Sequence, residues 1–271
     1  MSSENEIKEM VKEKYAAIAE QSKGQNLSSC CGSGCGCGPV EFSVMAEDYS
    51  KLPGYIADAD LALGCGLPTE FAQIRTGDTV VDLGSGAGND CFVARSVVGA
   101  TGRVIGIDMT TPMIDKARAN AARLGFANVE FRLGDIENIP IDSDSADVVV
   151  SNCVMNLVPN KTKAFAETFR IMKPGGHFSI SDIVLQGELS EELRQEATLY
   201  AGCIAGAMQK DDYLKTISDA GFVNIAVQKE RRIDIPNQVL ARVMTLEQLR
   251  DFKRRGVGIF SITVYADKPG A

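Results

Sequence analysis

Eight cysteines in a chain of 271 residues that holds a single histidine put thiol chemistry ahead of imidazole chemistry. Four crowd into one stretch, Cys30, Cys31, Cys35 and Cys37, and four are dispersed, Cys65, Cys91, Cys153 and Cys203. Small secreted domains use such thiols as staples, but a chain of this length buries a full core without them. In a reducing compartment, clustered cysteines point instead to metal binding, catalysis or redox exchange. Each one can also serve as a small core hydrophobe, and Cys91 is assigned to that role. The spacing Cys31-x3-Cys35-x-Cys37 lacks the C-x2-C pairs of common zinc modules. His177 alone excludes HExxH chemistry and any site needing two histidines. Following KPGG at a strand start, it reads as an exposed or edge-strand residue.

The strongest local motif is VVDLGSGAGNDCF. It sets an acid, Asp82, before Gly84, Ser85, Gly86 and Gly88, between an apolar strand and a helix. Glycines suit a tight turn against which a cofactor presses backbone lacking Cβ atoms. Asp108 closes the next strand, VIGID, just ahead of Met109, near the offset at which a carboxylate grips a ribose hydroxyl pair. Strand, glycine turn, helix and second-strand acid together read as a nucleoside site.

The elements that must position these residues alternate. TVVDLG, RVIGID, NVEFRL, ADVVVS and HFSISD read as strands, and DCFVARSVV, TPMIDKARANAARLG and NKTKAFAETFRIM as helices. That alternation predicts an α/β, Rossmann-like doubly wound sheet. DDYLKTISDAGF and MTLEQLRDFKRRG read as further helices, and VNIAVQKERRI and IFSITVYADKP as final strands, with KERRIDI a solvated strand edge. Residues 1–45 read as an amphipathic helix, with Ile7, Met10, Val11, Lys14 and Ile18 on its apolar face, followed by a flexible Cys/Gly-rich arm. Residues 46–190 form the nucleoside-binding core, and 191–271 supply helices capping the site and the last strands of the sheet. Ligands gather at the carboxyl ends of parallel strands. Cys153 follows the fourth strand there. Cys65 sits between two glycines that let backbone bend over a ligand, and Cys203 lies among small residues of the inserted helices. The balance of 28 basic against 36 acidic residues argues against a nucleic-acid partner. No apolar run is long enough to span a bilayer, and the polar start is no secretory signal, so a cytoplasmic protein is expected.

The D-x-G-x-G-x-G pattern resembles the first motif of class I S-adenosylmethionine methyltransferases. RLGDIENIPIDSDSADVVVSNCVMNLV resembles their adenine-contacting turn and fourth strand, and IMKPGGHFSISD the turn before the fifth. The resemblance implies S-adenosyl-L-methionine as cofactor, bound by Asp82, Gly84, Ser85, Gly86, Gly88, Asp108, Met109 and Asn152, with Asp135 and Ile136 at the adenine. More specifically, YSKLPGYIADADLALGCGLP, GIDMT, SNCVMNL and YAGCIAGA resemble the arsenite methyltransferases over about residues 40 to 230. In that family the positions of Cys153 and Cys203 hold trivalent arsenic, and that of Cys65 joins an N-terminal cysteine in binding and redox turnover. Cys30 and Cys31 match the family's arm pair; Cys35 and Cys37 go beyond it, so the acting arm thiol stays open. The implied substrate is arsenite or its glutathione or other thiol adducts, and the implied reductant of the resulting disulfide is thioredoxin or glutathione. Two alternatives stay open on the residues alone. One is methylation of a small organic acceptor such as a quinone ring; the other is a metalloid-binding thiol protein without turnover.

Overall fold

A computed structural model describes residues 4–21, 24, 26, 46–189, 204, 206–234, 254 and 257–270. Cys30, Cys31, Cys35, Cys37 and Cys203 lie outside them, as do the arm, most of the inserted cap helices and the MTLEQLRDFKRRG helix. In chain order the described elements are α1 (Glu4–Ala19), α2 (Pro68–Phe71), β1 (Thr79–Leu83), α3 (Asn89–Val98), β2 (Arg103–Asp108), α4 (Thr111–Leu124), β3 (Val129–Leu133) and β4 (Ala146–Asn152). They continue with α5 (Lys161–Ile171), β5 (Met172–Gln186), α6 (Lys210–Asp219), β6 (Val223–Ile233) and β7 (Gly258–Asp267).

The strands form one sheet in the order β3-β2-β1-β4-β5-β7-β6. β1 pairs in parallel with both β2 and β4, and β7 runs antiparallel between β5 and β6. β1 is apolar almost throughout because both faces of a parallel sheet are covered. Its alternate residues serve two cores: Val81 and Leu83 join Ile107, Phe165, Phe178 and Tyr213 on one side. Val80 joins Phe92, Val104 and Val150 on the other. α4 shows how sequence punctuates the layers. Pro112 opens it, and Gly125 stops it in the left-handed conformation (φ 67°), its N–H returning to the carbonyls of Ala121 and Ala122.

The chain order reverses between β1 and β4, and the crevice that this opens at their carboxyl ends is where an α/β sheet binds its ligands. α1 closes one side of it. Tyr15, Ile18 and Ala19 pack on Leu61, Leu63, Ala87 and Met113, whereas Met10, expected on the apolar face, points to solvent at 59% exposure. His177 also departs from expectation. β5 is longer than HFSISD because it continues into the antiparallel ladder with β7, so His177 sits on an interior strand, paired with Val148 and Asp267. Its ring stacks on Tyr265 at 5.1 Å, and its Nε2 lies 2.7 Å from the Ala72 carbonyl. The KERRIDI strand is indeed at the edge, but its charges are engaged rather than simply solvated: Lys229 meets Glu47 at 2.5 Å.

Phe165 is fully buried, with the ring of Tyr213 edge-on at 5.6 Å and that of Phe178 at 6.3 Å. Phe165→Ala should destabilise the fold by about 3–5 kcal/mol, read from urea unfolding at unchanged m. A loss below about 1 kcal/mol would contradict this packing account.

Candidate active site

The glycine turn is tied to β2 before any ligand arrives. The Gly84 and Ser85 amides both donate to the Ile107 carbonyl, at 2.7 and 2.9 Å. Asp108 then closes the turn from the β2 end, its carboxylate accepting from Gly86 N–H at 3.0 Å and Thr110 N–H at 2.8 Å. The cavity above, about 1060 Å³ including space open to solvent, is lined by Asp82, Gly84, Ser85, Gly86, Asp108, Met109, Asp135, Ile136, Asn152 and Cys153. Val11 and Tyr15 of α1, residues 61–64, Tyr49, Asn89 and Asp90 also line it.

Gly88 does not line this wall. It sits at φ 98°, and a Cβ there would stand 2.8 Å from Phe131 and 2.9 Å from Phe92. It is glycine so that helix α3 can pack against the β3 side, not for a cofactor. Two wall atoms support the fit of a nucleoside: Ser85 Oγ and Asn89 Oδ1 are buried with no hydrogen-bond partner among the described residues. Buried polar atoms are normally satisfied, and these two stand where ribose or amino-acid groups of S-adenosylmethionine could satisfy them. Asp135 is already engaged, its Oδ2 accepting from Lys8 Nζ of α1 at 2.6 Å. Lys8 also reaches Glu137 at 2.8 Å. Burial opposes the Lys8 charge, yet the two carboxylates raise its pKa overall. The N-terminal helix is therefore part of the nucleoside wall.

The thiols divide. Cys153 lies on the cavity wall just after β4, in a turn with φ 64°, a conformation uncommon outside glycine and frequent at functional turns. Its N–H donates to the Ser181 carbonyl at 2.7 Å. Cys65 is fully buried and outside the cavity lining. Its N–H donates to Asn152 Oδ1 at 2.9 Å, which sets its loop against the Cys153 turn. Cys91 is buried as expected, but not idle: its Sγ donates to Asp82 at 3.2 Å. Burial and then the Asp82 charge push the Cys91 thiol well up, so it stays protonated and can donate.

The family profile described as "Methyltransferase domain" matches residues 74–221. The chain is 45% identical to the arsenite methyltransferase of Halobacterium salinarum, over 83% of this chain and 60% of that protein. It is 34% identical to the arsenite methyltransferase of Aquipseudomonas alcaligenes, over 86% of this chain and 67% of that one. The chain belongs to the arsenite methyltransferase family. It spans 60% of the length of the first of these relatives and 67% of the second. The crystal structure of an arsenic(III) S-adenosylmethionine methyltransferase from Chlamydomonas reinhardtii superimposes with a TM-score of 0.62 at 32% identity, covering 76% of this chain and 68% of that chain.

Two cavity-lining residues of this arsenite methyltransferase family member escape sequence reading, Tyr49 and Asp90, as does a buried carboxylate outside the lining, Asp182. Tyr49 and Asp90 are buried together, with the Tyr49 hydroxyl donating to the Asp90 carboxylate at 2.8 Å. Burial pushes Asp90 up to about 6, against the pull of its bonds to Tyr49, Asn152 and Thr69. Asp82 is pushed well up by burial and then by the neighbouring Asp90 charge. Asp182, on β5, accepts from Asn156 Nδ2 at 2.7 Å, from its neighbour's amide at 2.9 Å and from the Tyr213 hydroxyl at 3.3 Å. The only signal for it in the sequence is a carboxylate inside an apolar strand, in SISDIV.

Burial pushes Asp182 up to about 7, against its hydrogen bonds and the charge of Lys161. An unfolded Asp titrates near 3.9. Between the two values the folded chain keeps a proton that the unfolded chain has lost, so stability falls as pH rises through that window. Asp182→Asn keeps the acceptor facing Asn156 and removes the titration. Its melting temperature relative to the parent should rise steadily between about pH 4 and pH 7, and a pH-independent difference would contradict the assignment.

Proposed function

We propose that this chain transfers methyl groups from S-adenosylmethionine to trivalent arsenic held by its own thiolates. The observation that carries the reading is the Cys153 turn, which places a thiol on the wall of the same cavity that Asp82, Ser85 and Asp108 line. Trivalent arsenic is soft and suits thiolates far better than imidazole or carboxylate. Three thiols replace the three hydroxyls of arsenite, each hydroxyl taking a thiol proton and leaving as water, and the arsenic lone pair remains as nucleophile. When bound, the cofactor supplies an electrophilic methyl on a sulfonium.

The residues have separate tasks. The glycine turn and Asp108 hold the nucleoside, and Asp135 and Ile136 meet the adenine. Val11 and Tyr15 of α1 keep water from the cavity. Cys65, Cys153 and Cys203 hold arsenic. No side-chain base is needed, because the arsenic nucleophile carries no proton. Catalysis then rests on holding arsenic in line with the methyl. Methyl transfer leaves arsenic pentavalent. The arm thiol, Cys30 or Cys31, attacks the arsenic-bound sulfur of Cys65: the disulfide forms as the bond from arsenic to Cys65 breaks, that bond's electron pair stays on arsenic and returns it to the trivalent state, and the arm thiol's proton goes to solvent. Thioredoxin or glutathione resets that disulfide by thiol exchange, which places the protein in the reducing cytoplasm. No helix among the described residues is long and apolar enough to cross a membrane.

Turnover with S-adenosylmethionine, arsenite and a thioredoxin system tests the reading, with the arsenic species separated and quantified. Methylated arsenic should form and should fall about 100-fold in Cys153→Ser and in Cys203→Ser. Cys65→Ser should not turn over repeatedly. Absence of methylated arsenic while S-adenosylmethionine still binds would overturn the reading and favour an organic acceptor.

A further inference from the structure

Cys65 lies in a stretch without regular secondary structure, yet four consecutive backbone polar groups at its thiol each meet a side chain. The Cys65 and Gly66 amides both donate to Asn152 Oδ1, at 2.9 Å and 3.3 Å. The Cys65 carbonyl accepts from Ser261 Oγ at 2.6 Å. The Gly66 carbonyl accepts from Asn152 Nδ2 at 2.9 Å. The same amide nitrogen donates to the Tyr49 hydroxyl at 2.5 Å, and Tyr49 donates in turn to Asp90. The clamp thus draws on the end of β4, the middle of β7 and the turn at Tyr49–Lys51.

Both glycines of LGCG are required by this clamp, and Gly64 also lines the cavity. A Cβ on Gly66 would stand 2.5 Å from Ser181 Oγ, and one on Gly64 would run into the Asn152 side chain. Close approach to the scaffold thus demands glycine at both positions, beside the cavity contact that Gly64 makes. Loops normally give their peptide groups to water and move. Here the peptide units on both sides of one thiol are fixed from two strands.

We propose that Ser261, acting with Asn152, is a positioning residue for Cys65. This rests on the arsenite reading above. The clamp fixes one partner of the exchanging thiol pair. Disulfide formation demands narrow geometry, with Cα atoms roughly 4.4–6.8 Å apart, and a partner held still meets that demand more often. Ser261 lies outside the cavity lining, so removing its hydroxyl leaves the nucleoside site intact.

Ser261→Ala and Ser261→Thr separate positioning from folding. In full-length protein we expect Ser261→Ala to lower kcat with arsenite and thioredoxin about tenfold, the equilibrium worth of one buried hydrogen bond. The Kd for S-adenosylmethionine should stay at the parent value. Alkylation of Cys65 by iodoacetamide, followed by peptide mass spectrometry, should quicken about tenfold, and Ser261→Thr should restore both readouts. Parent-like alkylation in Ser261→Ala would overturn the clamp. Faster alkylation with parent-like kcat would overturn the positioning role. A parent protein that methylates no arsenite would refute the activity reading instead, and the alkylation ratio would still decide whether the clamp exists.

Discussion

Asn152 is the side chain on which the two halves of the site depend. It ends β4 at the point where strand order reverses, and its single amide meets the Cys65–Gly66 backbone on one side and the Tyr49–Asp90 pair on the other. Asp90 stands in the first turn of α3, directly after the glycine loop, where the helix dipole favours a carboxylate. The thiol loop and the nucleoside turn therefore share one hydrogen-bond network. Such networks are worth most when every member is satisfied, and only the glycine backbones of residues 64 and 66 let this one close.

The electrostatics of the cavity point the same way. Asp82, Asp90 and Asp108 are buried close together, and each is pushed upward chiefly by that burial. A cation entering such a site relieves both desolvation and mutual repulsion, and a neutral ligand does not. A sulfonium is such a cation. Lys8 on α1 serves the neighbouring pair, Asp135 and Glu137, from the far side of the cavity, so the helix that carries the arm also closes the nucleoside wall.

Much of the fold was legible because hydrophobic period and punctuation agree. β2 and β6 fall on RVIGID and VNIAVQKERRI as read, and α4 ends at Gly125 as its composition implies. The glycine turn and Asp108 were legible because a nucleoside turn imposes residue types at fixed spacing. What stayed hidden depends on long-range pairing. His177 was misplaced because no local pattern reveals that β7 inserts between β5 and β6. A glycine that packs against Phe92 and Phe131, as Gly88 does, looks in sequence like one that faces a ligand. Ser261 and Cys65 lie 196 positions apart, and a serine in an alternating strand carries no mark of the carbonyl it will meet. Tyr49 and Asp90 were hidden for the same reason.

The proposed methyl transfer requires soft thiolate ligands to hold trivalent arsenic at the nucleoside cavity, whose wall includes Cys153. X-ray absorption at the arsenic edge, on full-length protein loaded with one equivalent of arsenite, tests it most directly. The spectrum should show arsenic surrounded by sulfur alone, with a sulfur replaced by oxygen in Cys153→Ser. An arsenic shell of oxygen in the parent, or one unchanged by Cys153→Ser, would contradict the claim.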